Sequence, residues 1–113
     1  MPKPLVWKHG EIKTPPFSAR ARRKAGFLLR RLQEGETIET PNSKPLTTIG
    51  AGCHELRIRD QGHNWRIIYA VTEWAIVILE VFDKQQQRTP QYVIDNCKRR
   101  LAEYRRVTGE TKD

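Results

Sequence analysis

Apolar residues recur along this chain at two different periods, and the change from one to the other marks out the elements. From Ala19 to Glu34, Ala21, Ala25, Leu28, Leu29 and Leu32 fall on one side of a 3.6-residue wheel, which predicts an amphipathic helix. Ser18 suits its N-cap, Gly35 its stop, and Pro15 and Pro16 break the chain before it. Ahead of that break, Leu5, Val6 and Trp7 form a short apolar run suited to an edge strand or an extended arm. Residues 36–52 hold two Pro, two Gly and four Thr without a clear period, which predicts a long loop.

The period then becomes two. In the stretch from Cys53 to Val71, His54, Leu56 and Ile58 point one way and Glu55, Arg57 and Arg59 the other. A turn over Asp60–Asn64 follows, with Gly62 able to take a positive φ. Trp65, Ile67, Tyr69 and Val71 then alternate with Arg66, Ile68 and Ala70. After the short turn at Thr72 and Glu73, WAIVILEVF is apolar on both faces and reads as the central strand. Asp83–Arg88 is a polar connector, and Thr89 and Pro90 suit the N-cap and first position of a second helix running to about Arg106. Its apolar stripe is Val93, Ile94, Cys97, Leu101 and Tyr104, and the tail from Val107 is expected to fray. The pattern predicts one α+β domain spanning residues 1–113, built on an antiparallel meander of three strands that the Leu5–Trp7 arm extends to four.

Charge changes this picture more than composition does. The 113 residues carry 21 Lys and Arg against 13 Asp and Glu, a net charge of +8, which favours a polyanionic or acidic partner. The excess lies at the ends: nine basic and two acidic side chains over residues 1–34, four and seven over 35–83, and eight and four over 84–113. On the first helix Arg20, Arg23, Lys24, Arg30 and Arg31 cover the polar arc, with Phe27 among them. That arc reads as a solvated face or as a contact surface, where the aromatic ring meets a partner protein or stacks on an RNA base. Cys53 and Cys97 have no metal-ligand spacing and are expected to be buried free thiols. No cofactor or metal is expected. The amino terminus lacks an apolar signal core and no apolar run spans a bilayer, so a cytoplasmic protein without a membrane partner is expected.

No hydrolase, metalloprotease or phosphate-loop motif is present, and what remains is a basic constellation on strands. Arg57, Arg59 and Arg66 either pair with Glu55, Glu73 or Glu80 or face an open anion-seeking surface, since a guanidinium buried without a partner is costly. Lys84 and Arg88 lie at the end of the apolar strand, at the sheet's rim. Metal-free RNA cleavage needs a group to activate the 2′-hydroxyl, cations for the phosphorane and a donor for the leaving 5′-oxygen. Arginine and lysine supply the second. His54 shares a face with Leu56 and Ile58, and His63 lies in a turn, so each has a structural reading beside the catalytic one.

Three segments, PLVWKHGEIKTPPFSARARRKAGFLLRRLQEGE, CHELRIRDQGHNWRIIYAV and EVFDKQQQRTPQYVIDNCKRRL, resemble in the same order the phage-derived HigB-type toxins of the RelE/ParE superfamily, over about residues 4–104. The resemblance implies a RelE-like fold, with an amino-terminal helical part on a curved antiparallel sheet of three to four strands and a carboxy-terminal helix. It further implies a type II toxin that cleaves mRNA at the ribosome without metal and is blocked by a cognate antitoxin, often a helix-turn-helix protein. By that likeness Arg57, Arg59 and Arg66 hold and polarise the scissile phosphate. Relatives commonly read FxKKTQKTP after the last central strand. Phe82, Lys84, Arg88, Thr89 and Pro90 match that segment, while Gln85 and Gln86 replace its second lysine and its threonine, removing one cation. Tyr92 is the nearest equivalent of the carboxy-terminal acid or base of several relatives. The competing expectation is a non-enzymatic binding protein of the same fold: a ParE-like gyrase inhibitor, or a phage-derived antitoxin-binding protein that has lost cleavage.

Overall fold

In a computed structural model, which describes residues 2–8 and 17–111, two helices pack on opposite faces of one five-stranded sheet. In chain order the elements are β1 (Leu5–Trp7), α1 (Ala19–Gln33), β2 (Ser43–Pro45), β3 (Cys53–Asp60), β4 (His63–Val71), β5 (Ile76–Asp83) and α2 (Gln91–Thr108). The strands lie in the order β1-β5-β4-β3-β2. The β2–β3, β3–β4 and β4–β5 pairs are antiparallel, and β1 runs parallel to β5. The α+β class matches the expectation, whereas the sheet is mixed and one strand larger.

Two differences from the sequence pattern account for the fifth strand and the strand order. β2 lies within the stretch read as a loop; its three residues include a proline, so pairing with β3 rather than any local period makes it a strand. β4 is the middle strand; β5 is buried on both faces because Ile76 and Ile78 join the core on the α1 side and Val77 and Leu79 the core on the α2 side, while β1 pairs with its outer edge. The expected break at Pro15 and Pro16 lies outside the described residues.

Strand parity sorts the side chains into two cores. Leu56, Ile58, Trp65, Ile67, Tyr69, Ile76 and Ile78 meet the Ala21, Ala25, Leu28, Leu29 and Leu32 stripe of α1. Cys53, Ile68, Ala70, Val77 and Leu79 meet Val93, Cys97, Leu101 and Tyr104 of α2. Ser18 caps α1 by accepting from the Ala21 amide at 3.1 Å, and its own amide donates to Asp60 Oδ2 at 2.9 Å, which ties the helix to the β3–β4 hairpin. Gly62, at φ 70°, makes that two-residue turn possible. Cys53 and Cys97 are buried free thiols as expected, and burial pushes the Cys97 thiol up to about 12.

The second helix begins at Gln91, one residue after the expected start, with Pro90 at the N-cap. Its end is tied rather than frayed as far as Glu110, and residues 112–113 of the expected frayed tail lie outside the described residues. Gly109 takes the left-handed conformation at φ 78°, which turns Glu110 back against the sheet. Buried Glu110 accepts from the Tyr104 hydroxyl at 2.6 Å and the Glu73 amide at 2.9 Å. Among the described residues no helix is long and apolar enough to cross a membrane.

Candidate functional site

On the face that carries α2, the helix covers only one end of the sheet. Beyond it, the strand register builds a grid of polar side chains. Lys44, Glu55 and Ile68 lie in one row across β2, β3 and β4; Arg57, Arg66 and Phe82 in the next across β3, β4 and β5; Arg59 and Asn64 in the third. A register shift between β4 and β5 at Ile68/Tyr69 puts Leu79 and Glu80 in succession on this face. Leu79 joins the α2 core, while Glu80 accepts from Arg100 of α2 and closes the boundary between the apolar end and the polar one.

Glu55 is the centre of the grid. It is 1 % exposed, and its Oε2 lies 3.1 Å from Arg57 Nε and 3.6 Å from Arg66 Nε. The strand arginines therefore gather about one carboxylate, and it is that carboxylate, with neighbouring lysines, that borders a groove. The groove, of about 620 Å³, is lined by Glu55 with Lys44, Lys84, Gln86, Gln87, Arg88 and the first turn of α2. Burial lowers the Lys84 ammonium from its ordinary value; Glu55 opposes that shift, and Arg66, Arg57 and Lys44 add to it. Burial likewise lowers Arg66, against the pull of Glu55, although a guanidinium remains charged. Glu55, with a lesser pull of Asp83 on Arg66, thus stands against Arg57, Arg66, Lys84 and Lys44, which leaves a surplus of positive charge about a concave, half-buried surface. Such a surface binds an anion with charge-assisted hydrogen bonds.

The other residues singled out in the sequence separate into distinct places. Arg59 lines a second groove of about 800 Å³ with Arg20 and Lys24, between the start of α1 and the β3–β4 hairpin. Arg23 and Arg30 lie exposed on α1. Arg31 pairs with Glu36 at 2.9 Å, with its guanidinium carbon 5.8 Å from the ring centroid of exposed Phe27. Tyr92 is 64 % exposed and is not among the residues lining the Glu55 groove.

Neither described candidate histidine reaches that groove. His54 lies on the α1 side of β3, stacked on Tyr69 with ring centroids 5.3 Å apart. His63 stacks on Trp65 at the hairpin and contacts Asp83 Oδ2 at 2.6 Å. That contact, with the Asn64 amide, holds the Asp83 carboxyl below the usual carboxylate range.

Two groove residues carry no clear signal in the sequence. Glu55 figures there only as a possible partner for arginines, although its parity with Arg57 is visible. Lys44 gives none, because the strand that carries it is recognisable only from its pairing with β3. A family model described as "Phage derived protein Gp49-like (DUF891)" matches residues 15–102, which takes in α1, all of β2–β5 and most of α2. No curated protein matches the chain significantly.

Proposed function

From the premise that the chain belongs to the phage-derived Gp49-like family, we propose that it is a type II toxin that binds RNA in the Glu55 groove and cleaves mRNA, at the ribosome, without a metal ion. The observation that carries this reading is the surplus of cations about one buried carboxylate in an open groove. Lys84, just past the end of β5, lines the groove, and Arg57 of β3 and Arg66 of β4 stand beside it around Glu55, so a phosphodiester drawn there meets cations from three sides. Their fixed positions stabilise charge that develops on the phosphorane without reorganisation. Arg88 and Lys44 flank the groove and hold the adjoining backbone.

The basic surface continues beyond this groove. Arg59 with Arg20 and Lys24 carries an RNA strand around the hairpin, and Arg23, Arg30 and Arg31 offer a further contact on α1. A polyanion as large as a ribosome reaches both faces of so small a protein, whereas a short substrate does not. The partner that restrains such a toxin is a cognate antitoxin of helix-turn-helix type, whose binding excludes RNA from the groove.

A non-enzymatic role, as a gyrase inhibitor or an inactive antitoxin-binding protein, is favoured by one observation. Gln85 replaces the second lysine that toxins of similar sequence carry, which removes one cation, and Gln86, which lines the groove, replaces their threonine. Induction of the free protein in cells, followed by primer extension on a translated transcript, separates the two. Cleavage that disappears in Arg66→Ala supports the nuclease. Intact transcripts with arrested growth and DNA damage support gyrase inhibition.

A further inference from the structure

Glu55 uses one of its two oxygens. Oε2 accepts from Arg57 Nε at 3.1 Å and lies 3.6 Å from Arg66 Nε, while Oε1, like Arg66 Nε, is buried with no hydrogen-bond partner among the described residues. A carboxylate present only to hold guanidinium groups would use both oxygens, since paired N–H donors match both and a bare buried oxygen costs about 1–3 kcal/mol. The remaining lining groups are lysines, an arginine, threonines, glutamines and apolar side chains, none of which takes up a proton readily at neutral pH. Both described histidine candidates are elsewhere.

We infer that Glu55 is the group that accepts the 2′-hydroxyl proton when RNA is cleaved in this groove. The inference rests on the nuclease reading above and adds to it the residue that activates the nucleophile. In the step, the 2′-O–H proton passes to Glu55, the 2′-oxygen forms a bond to phosphorus, and the bond from phosphorus to the 5′-oxygen breaks. The leaving 5′-oxygen takes a proton from the Lys84 ammonium, which burial already disposes to give one up. The products are a 2′,3′-cyclic phosphate and a 5′-hydroxyl. A proton returned from Glu55 to Lys84, directly or through solvent, restores both groups.

The surrounding charges suit this role. Negative charge leaves Glu55 as it builds on the phosphorane, inside the same ring of Arg57, Arg66 and Lys84. The cations need not move and are never left without an anion. Lys44, directly across from Glu55 on β2, and Arg88 complete the ring of charged groups around it.

The experiment compares wild type and Glu55→Gln on a translated mRNA and on the same RNA with a 2′-deoxy substitution at the scissile nucleotide. Glu55→Gln is expected to lose about 10²–10⁴-fold in cleavage rate. It should bind the deoxy RNA at least as tightly as wild type, because a negative charge has left the groove. A 5′-thio substitution at the scissile link, whose leaving group needs no proton, should restore Lys84→Ala and leave Glu55→Gln slow. Cleavage by Glu55→Gln at the wild-type rate overturns the inference and leaves the nuclease reading standing. Absence of cleavage by wild type overturns both. Should Glu55→Gln fail to fold, Glu55→Ala decides: recovery of cleavage with added formate supports the inference, and a folded variant that formate does not rescue overturns it.

Discussion

One face of the sheet has two ends, and they solve opposite problems. At the α2 end, Cys53, Ala70, Val77 and Leu79 are sealed under Val93, Cys97, Leu101 and Tyr104, and the burial of apolar surface holds the helix down. At the other end β3 and β4 carry Glu55, Arg57 and Arg66, with Lys84 just past the end of β5, and α2 reaches this end only with its first turn. The irregular β4–β5 pairing and the Arg100–Glu80 contact mark the boundary. The apolar end is satisfied by the protein itself, whereas the cationic end has one carboxylate for several cations. A surface whose charge is balanced only by something outside the protein is where binding is to be sought.

Substitutions at the two ends should therefore fail in different ways. The largest effect is expected from Leu101→Ala, which opens a cavity under α2 and should lower unfolding free energy by about 2–5 kcal/mol in denaturant titrations. Arg66→Ala should cost cleavage about 10²–10³-fold, of the order seen when one oxyanion donor is removed, with a far smaller shift in Tm than Leu101→Ala. If Arg66→Ala instead unfolds the protein, the cationic end is structural and the contrast collapses.

The contrast also shows what is legible in the sequence. The alternation in CHELRIRD assigns Glu55, Arg57 and Arg59 to one face, and the α1 and α2 stripes place both helices, because these patterns are local. Glu55 is visible in that alternation, but its role depends on burial and on an unused oxygen, which no period reveals. Lys44 enters the groove through non-local pairing, and Tyr92 sits outside it because the first turn of α2 presents Gln91 and Ile94 there instead. The tied tail is equally hidden, since Glu110 is held by Tyr104 and by a turn 37 residues away in sequence.

Smaller effects sharpen the picture away from the groove. Ser18→Ala removes the α1 cap and should destabilise by about 1 kcal/mol in thermal melts, with cleavage per folded molecule unchanged. The Asp60 and Asp83 carboxyls are both held low, the first chiefly by the Ser18 amide and the second chiefly by His63. A carboxyl lowered on folding adds stability that is fully present above its unfolded value, about 3.9, and is lost as pH falls through the lowered one. Thermal melts should therefore be insensitive to these groups near neutrality and decline as the medium is acidified below about pH 4. Asp60→Asn should flatten part of that decline.

The central claim is that the uncovered, cationic end of the sheet is an RNA phosphate site, and the salt dependence of binding tests it most directly. For a short RNA made uncleavable by 2′-deoxy substitution, removing one cation that touches a phosphate should reduce the slope of log K against log salt by about 0.7. Lys84→Ala should show that reduction, and Lys98→Ala, an equal change of charge at an exposed position on α2, should leave the slope at the wild-type value. Equal reductions in the two variants, or none in Lys84→Ala, would contradict the account.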